Sequence, residues 1–176
     1  MSGHPKRTLI TLEPLATSMS SPKVVIIGAG IAGLCAAVYA RKCGYQVEII
    51  EQHDNAGGLA TSWRRGDYTF ETCLHWFTGS NPKGALHAQW REVFDVDKLR
   101  FVYPEEQGWL LMPGMEFKPL RNTLPGLRRF LMAGQWVMPG GGLPSGLMTA
   151  RLAVRTLCNE DRIPFLPATV AFNRAV

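Results

Sequence analysis

The sequence lacks features that would each point to a particular environment or partner. It contains four cysteines but no CxxC pair, and no apolar run is long enough to cross a membrane. The 19 basic and 14 acidic residues give a net charge of +5, but the basic ones are scattered and form no dense cluster. We therefore expect a protein of a reducing, cytoplasmic compartment, with no transmembrane segment and no nucleic-acid partner.

Metal-binding and secretory patterns are also missing. His75 and His87 have no carboxylate or cysteine at metal-ligand spacing, so we expect no metal site. Residues 1–22 are rich in Ser, Thr and Pro without periodicity and lack the apolar core of a signal peptide. We expect these residues to form a loose leader, and translation could equally begin at Met19. The remainder, in a chain that is 46% hydrophobic and 19% charged, fits one compact domain.

A glycine motif follows the leader. The β-branched run Lys23–Ile27 is typical of a strand buried on both faces of a parallel sheet. Gly28, Gly30 and Gly33 then have the GxGxxG spacing, and a helix is predicted from about Ile31. The free amides of its first turn, which includes Ile31 and Ala32, form an anion site.

An acid completes this first motif. A second strand is predicted over Gln46–Ile50, which places Glu51 and Gln52 at its carboxyl end. A carboxylate there accepts hydrogen bonds from the ribose of an adenosine. The motif therefore predicts binding of an adenine dinucleotide, and by itself it leaves FAD and NAD open.

A second glycine segment lies just beyond the acid. The amides of Gly57, Gly58 and Leu59 could face a pyrophosphate, and Arg64 could add a charged contact. The alternative is a glycine turn that leads into a hairpin, with residues 59–64 paired to residues 68–71. Both interpretations can hold together.

The third stretch lies far downstream. Leu124–Leu127 predicts a turn, Phe130–Ala133 a short strand, and Ser145–Cys158 a helix preceded by glycines 140–142. Gly146, Ala150 and Ala153 would allow that helix to pack closely. Its start would favour a developing negative charge such as that of a reduced isoalloxazine, and the alternative is a glycine-rich surface loop.

Together the three stretches resemble the phytoene desaturase and carotenoid isomerase family of FAD-dependent oxidoreductases, within the amine-oxidase-like flavoproteins. The resemblance implies an α/β, Rossmann-like FAD-binding domain with a central parallel sheet, built from residues 23–76 and 121–170, with a short hairpin and helix insertion at 77–120. The cofactor-binding residues predicted from the motifs and the resemblance are Gly28, Gly30, Ile31, Ala32, Gly33, Glu51, Gln52, Gly57, Gly58, Leu59, Arg64, Gly134, Gln135, Gly142 and Leu143. Gln135 departs from the acid that many relatives carry there.

The insertion is much shorter than the substrate domain of that family. A helix is predicted after Asn81, with Pro82 at its first position and Leu86, Trp90, Val93 and Phe94 on one face, and a hairpin is predicted over 102–112. The family resemblance implies hydride transfer from a lipophilic C–H substrate to flavin. The alternative is a non-catalytic, internally deleted FAD-binding remnant.

Several further interpretations stay open at this point. A partner subunit or a second copy could cover the flavin face. His75 is either a packed residue or a proton relay near the flavin, and no catalytic residue is assigned. Basic residues near Trp109, Trp136 or the Leu124 turn could contact a membrane surface peripherally, but we expect these aromatic side chains to pack in the core.

Overall fold

A computed structural model describes residues 8–12 (backbone only), 21–71, 77–101, 122–138 and 142–167. Cys73, His75, Trp109 and the hairpin predicted over 102–112 lie outside the described residues. The described part contains five strands, β1 to β5, and three α-helices, α1 to α3, with short 3₁₀ turns at Gly58–Ala60 and Val96–Lys98. No helix in these ranges is long and apolar enough to cross a membrane.

The central sheet is Rossmann-like, as predicted. β2 (Lys23–Ile27) and β3 (Gln46–Glu51) are parallel, with Val24 opposite Val47, and α1 (Ile31–Lys42) connects them. β1 (Thr8–Leu12) pairs antiparallel with β3, so that the strand order is β1-β3-β2. Residues 8–12 therefore form a strand within the segment that was expected to be a loose leader.

β2 is less buried than its sequence predicts. Val25 is 52% exposed and Ile27 is 82% exposed, whereas Val47 and Ile49 of the neighbouring strand are buried. Among the described elements, α1 packs against one face of β2 and β3, and β2 pairs only with β3. The expectation of a strand buried on both faces is therefore wrong for this part of the chain, because one face and one edge of β2 have no described neighbour.

The third helix runs parallel to the first. α3 (Gly142–Asp161) begins beside the start of α1, where a Cβ on Gly146 would lie 3.3 Å from the Ala32 nitrogen. It ends beside the far end of α1, where the Tyr45 hydroxyl donates to Asp161 Oδ2 at 2.7 Å. The small residues predicted for close packing are buried at this interface, and the helix is longer than predicted at both ends.

The remaining elements match the sequence prediction only in part. The hairpin is confirmed, with β4 (Ser62–Arg65) paired to β5 (Tyr68–Glu71). α2 spans Ala85–Arg91 and begins later than predicted, because Asn81 Oδ1 accepts the Lys83 N–H at 3.0 Å and forms a turn that ends at the N-cap Gly84.

Residues 122–138 form an irregular segment. The predicted turn is present, with the Leu127 N–H donating to the Leu124 carbonyl at 3.2 Å. The strand predicted over 130–133 is absent, and only an isolated bridge joins Thr123 to Leu131. Trp136 is 87% exposed, so the expectation that this side chain packs in the core is wrong.

Candidate dinucleotide-binding site

A cleft of about 570 Å³ opens at the carboxyl ends of β2 and β3. This is the edge at which open parallel sheets bind their ligands. The described residues that line it are Ile27, Gly28, Gly30, Ile50, Glu51, Gln52, His53, Gly58 and Leu59. Six of these belong to the predicted site, so the two glycine segments and the acid converge as the sequence indicates.

The first glycine loop is shaped by close packing. Gly28 has φ +100°, and a Cβ on Gly33 would lie 2.0 Å from the Gly28 carbonyl oxygen, so only glycine fits where α1 crosses the end of β2. Gly30 borders open space, since a Cβ there would meet no described atom closer than Gly58 Cα at 4.0 Å. The loop therefore leaves room for a ligand at Gly30.

The second glycine segment is bonded to the first. The Gly57 N–H donates to the Ala29 carbonyl at 2.8 Å, and Gly57 and Gly30 form a parallel bridge. Gly58 follows in the cleft wall and leads through the 3₁₀ turn into the β4–β5 hairpin. The hairpin interpretation of this segment is confirmed. Of the residues predicted to face a pyrophosphate, Gly58 and Leu59 line the cleft, and their contact with a pyrophosphate stays a prediction. The Gly57 amide is instead bonded to Ala29.

Glu51 is buried, at 7% exposure, and its carboxylate accepts three backbone hydrogen bonds. Oε2 accepts the Ala29 N–H at 2.6 Å, while Oε1 accepts the Gln52 and His53 N–H groups at 2.8 and 2.9 Å. These bonds, that from His53 foremost, lower the pKa of Glu51 despite its burial. A carboxylate offers about four lone-pair sites, so about one remains for a ribose hydroxyl.

The other predicted residues lie away from the cleft lining. Ile31, Ala32, Gly33 and Gly57 belong to the adjoining loop and first helical turn. Arg64 lies on the exposed hairpin, Gln135 is exposed, and Leu143 packs against the core. The Gly134 N–H donates to Thr149 Oγ1 at 2.8 Å, and Gly142 is the first residue of α3. The structure thus brings the start of α3 beside α1, but it does not bring Gly134 or Gln135 to the cleft.

Three lining residues were missed by the sequence interpretation. Ile27 and Ile50 end their strands immediately before Gly28 and Glu51, so their positions at the strand ends could have identified them. His53 follows the acid by two residues and carries no pattern of its own. Among the described residues no cluster could hold a metal ion, and burial raises the pKa of the Cys35 thiol to about 12.

The comparisons with known proteins define the class first. Residues 26–93 match the family model described as the NAD(P)-binding Rossmann-like domain. This match covers the end of β2, the glycine loop, all of β3 and the second glycine segment. That part of the chain is therefore Rossmann-like in sequence as well as in fold.

Curated relatives that match part of the chain include carotenoid and phytoene desaturases and L-amino-acid oxidases, in agreement with the resemblance predicted from the sequence. The chain is 41% identical over 71 residues to the 1-hydroxycarotenoid 3,4-desaturase of Flavobacterium sp. (strain P99-3), covering 40% of this chain and 14% of that protein. It is 34% identical over 106 residues to the 15-cis-phytoene desaturase, chloroplastic/chromoplastic, of Narcissus pseudonarcissus, covering 53% of this chain and 18% of that protein. It is 29% identical over 122 residues to the L-amino-acid oxidase of Crotalus adamanteus, covering 65% of this chain and 22% of that protein.

The matches cover only a small share of each relative, between 14% and 22% of its length. No solved structure matches the chain.

Proposed function

We propose that this chain is the FAD-binding part of an oxidoreductase of the desaturase and amine-oxidase type. The observation that carries the proposal is the convergence of both glycine segments and Glu51 on one cleft at the carboxyl ends of two parallel strands. The relatives found by comparison support the flavoprotein class.

The described residues fit the ADP half of FAD. The open space at Gly30 admits a pyrophosphate to the backbone, and the amides of Ile31 and Ala32 at the start of α1 favour its negative charge. Glu51 would accept one ribose hydroxyl through its remaining lone pair. Gln52 and His53 lie beside it in the cleft wall. When bound, FAD would accept a hydride from a lipophilic C–H substrate.

The flavin end of the site is the less complete part. Arg64, Gly134, Gln135, Gly142 and Leu143 are proposed to contact the ribityl and flavin groups, although none of them lines the cleft. This observation favours the second candidate, a non-catalytic FAD-binding remnant. A partner subunit or a second copy that covers the flavin face would reconcile the two candidates. We also propose peripheral contact with a membrane, where a lipophilic substrate would be collected.

An absorbance spectrum with cofactor release and mass measurement tests the proposal. We expect the purified chain, after addition of FAD and gel filtration, to retain a flavin spectrum that ADP displaces and FMN does not. A protein that retains no flavin and binds no ADP would contradict the assignment. Anaerobic bleaching of the bound flavin by a polyene or an amine would support the enzyme and contradict the remnant.

A further inference from the structure

The segment 122–138 exposes an unusual set of apolar side chains. Leu127 is 53% exposed and Trp136 is 87% exposed. Leu124 and Phe130 are also exposed, at 41% and 39%. Single apolar residues on a surface are ordinary, but here four large ones occur within thirteen consecutive positions. We call residues 124–136 of this segment the apolar edge.

The apolar edge is fixed to the body of the protein at two places. The Arg129 guanidinium donates two hydrogen bonds to the Asp161 carboxylate, at 2.7 and 2.9 Å, at the end of α3. The Gly134 N–H donates to Thr149 Oγ1, about 18 Å earlier along the same helix. The segment is therefore held beside α3, with Phe130 between the two anchors. The more exposed Leu127 and Trp136 each lie two residues outside them.

The sequence of the apolar edge contains basic residues and no acidic ones, although Arg129 pairs with Asp161 and Glu160 of α3. No acidic residue occurs between Glu116 and Glu160, whereas that stretch contains Lys118, Arg121, Arg128, Arg129, Arg151 and Arg155. Within it, Arg128 and Arg155 are exposed. Met148 and Leu152 are also exposed, and their spacing places them on the same face of α3 as Arg155. Met148 precedes Thr149, the residue that accepts the Gly134 N–H.

We infer that the apolar edge, with Arg128, is a surface that inserts into the headgroup region of an anionic lipid bilayer. Leu, Phe and Trp side chains interleaved with arginines suit the boundary where acyl chains meet charged headgroups. A stretch without acidic residues is attracted to anionic lipids, since each arginine near such a surface strengthens binding. This inference rests on the peripheral membrane contact proposed above and names the surface that makes it.

Vesicle binding of the full chain tests the inference. We expect cosedimentation with vesicles of equal parts phosphatidylcholine and phosphatidylserine, and much weaker binding to phosphatidylcholine alone. The double variant L127S/W136S should lower the partition coefficient about tenfold or more. The matched control is W63F, because Trp63 is a half-exposed aromatic residue on the β4–β5 hairpin, outside the apolar edge. This control should bind as the wild type does.

The charge contribution is tested by R128Q, which should weaken binding to the anionic vesicles about fivefold. Circular dichroism and FAD retention should be unchanged in each variant, which shows that the fold is kept. Vesicle binding that L127S/W136S leaves intact would overturn the inference but not the membrane contact. Absence of all vesicle binding would overturn both, while flavin retention would still support the FAD proposal.

Self-association is the remaining outcome. If gel filtration with light scattering shows a dimer without lipid that L127S/W136S dissociates, the apolar edge is a contact between copies and the inference is overturned. A monomer in solution that binds the anionic vesicles through Trp136 would support it. Quenching of Trp136 fluorescence by brominated lipid, lost in W136F and kept in W63F, reports this insertion directly.

Discussion

At the residue scale, Glu51 has a second role beside the one its position predicts. Its carboxylate is bonded to the amides of Ala29, Gln52 and His53, so it ties the first glycine loop to the end of β3 before any ligand is present. The acid therefore shapes the loop, in addition to the ribose contact that we propose for it.

Replacement of Glu51 by Gln should lower the free energy of unfolding by about 1–3 kcal/mol near neutral pH. The side-chain NH2 group of the glutamine would face a backbone N–H where the carboxylate now offers an acceptor oxygen. The pKa of folded Glu51 lies below its ordinary value of 4.5, so the stabilisation is present above about pH 4.5 and disappears as the pH falls through the folded pKa. Urea unfolding of both proteins from neutral to acid pH checks this. A difference that stays constant with pH would argue against the amide contacts.

Gly30 and Gly33 should respond differently to the same substitution. G33A places a Cβ 2.0 Å from the Gly28 oxygen and should destabilise the fold by about 1–3 kcal/mol. G30A meets no described atom closer than 4.0 Å, so its stability should change by about 1 kcal/mol or less while ADP affinity falls about tenfold or more. Thermal unfolding and calorimetric titration with ADP separate the two effects. Equal loss of stability in both variants would contradict the distinction between Gly33, which packs against Gly28, and Gly30, which borders the open cleft.

These residues also show how far the site could be predicted. The cleft glycines and Glu51 could be predicted because local sequence spacing determines where the turn and the strand end lie. His53 was missed because a histidine in a loop carries no pattern. The position of Gly134 depends on the hydrogen bond from its N–H to Thr149 of α3. This is a tertiary contact, and no local sequence pattern predicts it.

At the element scale, one carboxylate joins the three α-helices of the described part of the chain. Glu92, the C-cap of α2, accepts the Tyr39 hydroxyl of α1 at 2.8 Å and the Arg151 Nε of α3 at 2.9 Å. Lys42 also donates to the Glu92 backbone oxygen. Burial, followed by the bond to Glu92, raises the pKa of Tyr39, which keeps its hydroxyl a donor. This junction joins α2 to α1 and α3.

The variant E92A should lower the free energy of unfolding by about 1–3 kcal/mol, because it leaves the Tyr39 hydroxyl and the Arg151 guanidinium without their acceptor. The control is D95A, which removes the exposed Lys98–Asp95 pair and should change stability by about 1 kcal/mol or less. Urea unfolding measures both. Equal values would show that the junction adds nothing beyond a surface ion pair.

The elements were predictable where backbone chemistry decides them. The hairpin follows from Gly66 between two β-prone runs, and the close packing of α3 follows from its small residues. The start of α2 was not predictable from Asn81 and Pro82, since the Asn81 side chain bonds two residues ahead and forms a turn instead of a cap.

At the scale of the whole molecule, α1 covers one face of β2 and β3, and the other face has no described neighbour. The sequence of β2 could not show this, because an apolar run reads the same whether or not both faces are covered. V25T should therefore change the free energy of unfolding by about 0.5 kcal/mol or less, whereas V47T, on the helix-covered face of β3, should lower it by about 1–3 kcal/mol. Chemical denaturation compares them, and a large loss in V25T would indicate a neighbour on the other face.

The parallel packing of α1 and α3 also bears on how the chain holds together if it is cut. These helices contact each other along their length although a long stretch of sequence separates them. A chain divided between Phe101 and Asn122 would leave one helix of the pair on each fragment. Reassembly would then depend on fragment concentration, because the uncut chain holds the two helices together at a high effective concentration. We therefore expect co-expressed fragments to restore the packing of α1 against α3 without a covalent link.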